Sequence, residues 1–365
     1  MKNDGIKLKQ MQFIRFIAFL LIFLWHSSMW GIKIENYRFP NTVIAGGAAF
    51  AVSLFFILSG WLSGTSYTEY EKIRFKDVFS YLIKKLKKFY PLYIVTVLVS
   101  IIYSNLPMVI ATRDGASFID LIFQFIKNVL LIQSWFPSGY FTYNGVGWFL
   151  SSIMFCYIFT VPVKHLIYKK AKQKNGSAKL FIMALIAIAI EIIYMYLIRS
   201  YNREYLGYII PISRIGEYIS GIIFGHLFMK LSNKKYNKML FTLLELFAIC
   251  GVVISLYMTY PKWMNNVVAW LIPAYFVIFI YSFNAGYISK VFSTKILVKL
   301  GDLSFGCFLI HPLTIGILSK ISKVSGISIL GNAFCKLLCL SLTLLFACIH
   351  DRYTFYKTSY NKKMN

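Results

Sequence analysis

Apolar residues in this chain neither alternate nor recur in narrow stripes. They fill long runs near 11–30, 43–64, 89–104, 146–168, 179–198, 209–229, 239–258, 267–283, 303–319 and 329–349. About 20 apolar residues in a helix cross a bilayer, and shorter runs are accommodated by tilt or local thinning. The pattern predicts an all-α integral membrane protein, a bundle of about ten transmembrane helices forming one domain over 1–365. An eleventh run, 118–136, carries Asp120, Gln124, Lys127 and Asn128 and ends in Trp135-Phe136-Pro137. It reads as an interfacial or re-entrant segment. The longest stretch between spans is roughly 105–145, too short for a soluble domain.

Composition agrees: 58% of residues are hydrophobic and 14% charged, against about a quarter charged in soluble domains. The net charge of +26 does not mark a nucleic-acid partner, because the basic residues sit in short loops between apolar runs. There they orient helices, and lipid is the partner they imply. With the N-terminus inside, 27 Lys and Arg fall on the cytoplasmic side and 9 on the other. Both termini and the loop 65–88 are therefore expected in the cytoplasm, whereas spanning by 118–136 would invert everything after it. Met1 to Lys9 is basic and precedes an apolar stretch, as in a signal peptide. Arg15 interrupts that stretch and no A-x-A-like site follows Trp30, so a retained first helix is expected. The six cysteines all lie in apolar segments without metal-ligand spacing and read as packing residues.

Candidate chemistry begins with Arg15 and His26, because ionisable residues within a membrane are costly and mark function. They are eleven positions apart, about three turns, so both project from one helix face roughly 16 Å apart along the axis. Lys85 and Lys88 are three apart, share a helix face, and run into Pro91, which suits the first turn of the third span. Arg214 and Glu217, at i and i+3 in the sixth span, can neutralise each other. His311 lies near mid-membrane, followed by Pro312, which kinks the helix and leaves a carbonyl for a neighbour to satisfy. Glu191 and Glu245 are further intramembrane carboxylates that could partner His26. Gly60-x-x-x-Gly64 and Gly221-x-x-x-Gly225 are small-residue patterns that suit close helix packing.

In order along the chain, these segments resemble acyltransferase family 3, polytopic membrane enzymes acting on O-antigen, exopolysaccharide and other envelope glycans. Arg15 and His26 match its R-x10-H. Phe55 to Leu62 matches F-F-x-L-S-G-[FW]-L. Lys85, Lys88 and Pro91 match R-x-x-R-x-x-P, and Trp148-Phe149-Leu150 matches W-F-L. Ser304 to Pro312 is similar to S-[YF]-x-x-[YF]-L-x-H-P. Lys stands where the family has two Arg, which keeps the charge and loses the bidentate fork for phosphate.

The resemblance implies acyl transfer from cytoplasmic acyl-CoA, most simply acetyl-CoA, to a hydroxyl of an envelope or lipid-linked glycan at the cell membrane. It implies donor binding by Lys85 and Lys88 and catalysis by His26 with Arg15. His311, Arg214, Glu217 and Trp148 stand as possible supports. His26 could act as a base or take the acyl group itself. The thioester supplies the driving force, so no metal and no permanently bound cofactor is expected. A succinyl donor, or a flippase for a lipid-linked sugar, are the alternatives.

Overall fold

The computed structural model describes residues 8–28, 38–66, 68–105, 107, 115–201, 204–232, 236–259, 267–325 and 333–364. The basic stretch before Leu8, Trp30 and positions 329–332 of the last expected span lie outside them. Among the described residues every regular element is helical. In chain order these are α1 (Gln10–Ser28), α2 (Arg38–Gly64), α3 (Phe75–Ser100), α4 (Gly115–Val129), α5 (Gly147–Ile158) and α6 (Thr160–Ala171). There follow α7 (Gly176–Leu197), α8 (Ile215–Met229), α9 (Lys238–Thr259), α10 (Val267–Ser282), α11 (Tyr287–Phe292), α12 (Lys295–Ser325) and α13 (Ala333–Met364).

Eight stretches among the described residues are long and apolar enough to cross a membrane. Two of the ten expected spans are shorter. At 209–229, a π-helical turn (Tyr205–Ile209) and a 3-10 turn (Pro211–Arg214) precede α8, which has 15 residues. At 267–283, α10 has 16. The expected span 146–168 is present but breaks at Phe159 between α5 and α6, ahead of Pro162.

The third span differs most from expectation. The helix starts at Phe75, so the basic cluster lies on α3 itself and the connecting segment ends at Arg74. Pro91 stands in the helix interior rather than its first turn. The sequence 75–90 contains no Gly or Pro to stop a helix, and its Lys and Leu residues favour one.

α2 is the centre of the bundle: over its most apolar 18 residues 83% are buried, against 11% for the corresponding stretch of α7. α2 packs on α8, α1 and α10, while α1 also packs on α12. The α2–α8 contact is made by the two small-residue patterns facing each other. A Cβ at Gly60 or Gly64 would collide with the carbonyls of Tyr218 or Ile222. One at Gly221 or Gly225 would meet those of Ile57 or Trp61. Without side chains there the two backbones approach closely, which gives van der Waals contact where lipid offers no hydrophobic drive.

The segment expected to be interfacial is an amphipathic helix whose apolar side faces outward. Phe118, Ile119, Ile122, Phe123 and Ile126 of α4 are exposed, whereas Gln124, Lys127 and Asn128 are buried against the protein. Tyr93 of α3 donates to Asn128 Oδ1 at 3.0 Å, and Tyr90 donates to the Val129 carbonyl at 2.8 Å. The Lys127 ammonium lies 4.8 and 4.9 Å from the ring centres of Phe123 and Phe136 and donates to the Ser138 carbonyl.

Candidate active site

α1 and α12 carry the central pair. Gly301 allows α12 to press against the backbone of α1 at Gln12, since a Cβ there would overlap that residue. Nearly three turns further along α12, His26 Nδ1 lies 2.9 Å from His311 Nε2, with the rings stacked at 5.1 Å between centres. His311 is fully buried; Phe19 lies 5.7 Å, Phe308 6.0 Å and Phe23 6.3 Å from its ring centre. His26 is only half-buried.

The proton positions follow from the neighbours. His311 Nδ1 lies 2.8 Å from the Phe308 carbonyl and 3.3 Å from that of Cys307. A carbonyl only accepts, so Nδ1 carries the hydrogen. In the neutral ring Nε2 is then an acceptor, and His26 donates to it from Nδ1. This leaves the lone pair of His26 on Nε2, the half-buried end of the pair.

A second cluster lies toward the other end of α1. Arg15 is half-buried and donates to Gln12 Oε1 at 2.9 Å. It is within electrostatic reach of Lys85 and Lys88 on α3, of Tyr157 on α5, and of Asp302 on α12. Lys85 holds its ammonium 5.1 Å from the ring centre of Tyr81 and 4.9 Å from that of Tyr157. Tyr81 in turn shares a 3.0 Å hydrogen bond with Ser63 on α2. Lys88 is exposed. Three cations thus meet one carboxylate, a field that favours a polyanion.

The remaining candidates form a third group. Arg214 and Glu217 are fully buried and pair at 3.3 Å. Arg214 also donates to Ser53 Oγ and to the Tyr208 carbonyl, and its guanidinium lies 4.6 Å from the Tyr208 ring centre. Trp148 packs against the same Tyr208 ring, 5.0 Å between centres. Arg214 and Glu217 therefore pair with each other, and Trp148 joins them through Tyr208, away from His26. The link to the histidines is aromatic: Phe149, beside Trp148, packs 5.4 Å from Phe308.

Neither intramembrane carboxylate pairs with His26. Glu245 accepts from the backbone N–H of Ile288 at 3.0 Å and caps α11. Glu191 lies beside Gly216, within electrostatic reach of Glu217 and Arg214. Sequence reasoning missed Tyr81, Tyr157 and Asp302. Tyr81 had a readable signal, standing four residues before Lys85 on one helix face. Asp302 lies two residues before the Ser304 motif, and Tyr157 had no signal in its spacing.

A family model described as an acyltransferase domain, that of acyltransferase family 3, matches residues 8–350. Comparison with curated proteins gave no match. Comparison with solved structures gave none either.

Proposed function

The chain belongs to acyltransferase family 3, and on that premise we propose that it is a membrane O-acyltransferase moving an acyl group, acetyl foremost, from cytoplasmic acyl-CoA to a hydroxyl of an envelope polysaccharide or lipid-linked glycan. The observation that carries the reading is the arrangement along α1: a histidine with a bare Nε2 near one end, and a cationic cluster about three turns away. Lys85, Lys88 and Arg15 hold the phosphates of the donor. The pantetheine arm spans the distance to His26.

His26 Nε2 then removes the proton of the acceptor hydroxyl as that oxygen attacks the thioester carbonyl. The new C–O bond forms, the C–S bond breaks, and the departing thiolate takes the proton back from His26 as free thiol. During the reaction the imidazolium of His26 keeps its Nδ1–H on His311, a bond that strengthens when the donor is charged. A flippase has no use for an imidazole nitrogen kept bare in this way. A succinyl donor would follow the same steps and differs only in the room it needs beside His26.

In this reading the protein lies in a bacterial cytoplasmic membrane, with both termini and the segment 65–74 in the cytoplasm. Mass spectrometry of envelope glycans tests it, comparing cells that make the protein, cells that lack it, and cells making His26→Gln. The acylated species is expected in the first alone. Equal glycan acylation in all three overturns the proposal.

A further inference from the structure

In an α-helix the N–H of residue i bonds the carbonyl of residue i−4. The partner due to the Phe308 carbonyl is thus residue 312, and residue 312 is Pro, which has no N–H. α12 nonetheless continues through this point to Ser325. An orphaned buried carbonyl is costly, and the atom that satisfies it is His311 Nδ1, at 2.8 Å. The His-Pro pair therefore works as one unit: the proline vacates an acceptor, and the histidine one position earlier fills it. Thr314 Oγ1 likewise back-bonds the His311 carbonyl at 3.0 Å, so the turn after the proline is also held by side chains.

Filling that acceptor has a directional consequence. With the Nδ1 hydrogen committed to a carbonyl of its own helix, His311 can meet His26 only as an acceptor through Nε2. His26 must donate from Nδ1, and the free tautomer choice of an isolated imidazole is removed. We infer that His311 is a positioning residue that fixes His26 in the tautomer with an unprotonated Nε2, and that Pro312 sets the direction by freeing the Phe308 carbonyl. The inference rests on the acyltransferase reading for its purpose but not for its chemistry, since a tautomer is measurable without turnover.

The test is nitrogen-15 magnetic resonance of histidine-labelled full-length protein in lipid bilayers. The chain has five histidines, so His26→Gln and His311→Gln assign the two signals by their loss. Wild-type protein is expected to show one His26 tautomer, protonated at Nδ1. His311→Phe removes the acceptor, and a mixture with Nε2–H is expected at His26. Pro312→Ala returns an N–H to position 312 that competes for the Phe308 carbonyl, and mixed tautomers are expected at both histidines. In His311→Gln the side-chain carbonyl can still accept from His26, which should keep the Nδ1–H form. If His311→Phe fails to fold, Pro312→Ala and His311→Gln carry the test.

A His26 that is Nε2-protonated in the wild type, or unchanged in both His311→Phe and Pro312→Ala, overturns the inference. In the activity arm, His311→Phe is expected to lower kcat on the order of 10²-fold or more with KM for acyl-CoA unchanged, as losing the right tautomer does elsewhere. His311→Gln should recover part of the loss. Failure of the acyltransferase reading would show separately, as an absence of transfer in wild-type protein whose tautomers are as expected.

Discussion

The Lys85 ammonium stands between two tyrosine rings, with Tyr157 the nearer at 4.9 Å and Tyr81, one turn back on α3, at 5.1 Å. A cation over aromatic faces is held without being neutralised, so its charge remains available to an arriving anion. Among the described residues no ring cages Lys88, which is exposed.

This contrast gives the first prediction. Lys85→Ala combined with Lys88→Ala should weaken acyl-CoA binding at least about tenfold, since each charge-assisted contact to phosphate is worth roughly 1.5–3 kcal/mol. Replacing both by Arg should restore or tighten binding, because the planar fork suits phosphate and also stacks on aromatic rings. Isothermal titration with the purified protein decides; unchanged affinity in the double-Ala protein would assign both residues to topology alone.

His26→Gln should lower acyl transfer by about 10²- to 10⁴-fold, the usual contribution of a positioned proton carrier. Acyl-CoA affinity should stay within about twofold, because the cationic cluster lies about three turns away along α1. Glutamine can keep a hydrogen bond to His311 but cannot accept and return a proton. Rates and affinities measured on the same folded preparation separate the two effects, and near-normal transfer would remove His26 from the chemistry.

A third outcome concerns orientation. The 27-to-9 division of Lys and Arg predicts that both termini and the segment 65–74 face the cytoplasm. Ser66 is a poor position for a probe, because its carbonyl and hydroxyl accept hydrogen bonds from Lys164. Glu69 is exposed and better suited. Cysteine at position 69 or 361, in a protein cleared of its own thiols, should resist an impermeant reagent in intact cells and react after lysis. Labelling of either before lysis would overturn the orientation.

The buried Arg214–Glu217 pair predicts a stability effect. Arg214→Met leaves Glu217 buried without its cation and with Glu191 nearby, and should destabilise by about 3–5 kcal/mol. Arg214→Met with Glu217→Met removes both charges and should recover most of that loss. Thermal unfolding in detergent measures it; a double variant no more stable than the single would show that the pair is not what holds this region.

Much of this organisation is legible in the sequence, for reasons that differ by residue. The two glycine patterns of α2 and α8 could be read because contact between helices in lipid depends on small residues at fixed spacing. Arg15 and His26 could be read because charge in an apolar run stands out. The start of α3 could not: Phe75 to Lys88 is too polar to register as a span, so hydropathy ends the helix where its charge begins. The partner of His26 was equally hidden, because 285 residues separate it from His311 and only the fold brings them together. The proline at 312 signalled a freed carbonyl, and the donor proved to be the adjacent side chain.

The inverted polarity of α4 bears on how that helix is held. A 15-residue segment whose polar side bears Lys127 has no reason to leave the membrane surface alone, since a lysine at the bilayer centre costs roughly 2.5–3.5 kcal/mol. Lys127 is held by the Ser138 carbonyl and the rings of Phe123 and Phe136, and the polar residue and carbonyl beside it are met from α3, where the hydroxyls of Tyr90 and Tyr93 reach the carbonyl of Val129 and the side chain of Asn128. Those tyrosines stand on a helix long and apolar enough to cross a membrane. In the folded protein α4 is thereby fastened to α3 along its polar side, and its apolar side is left to face outward.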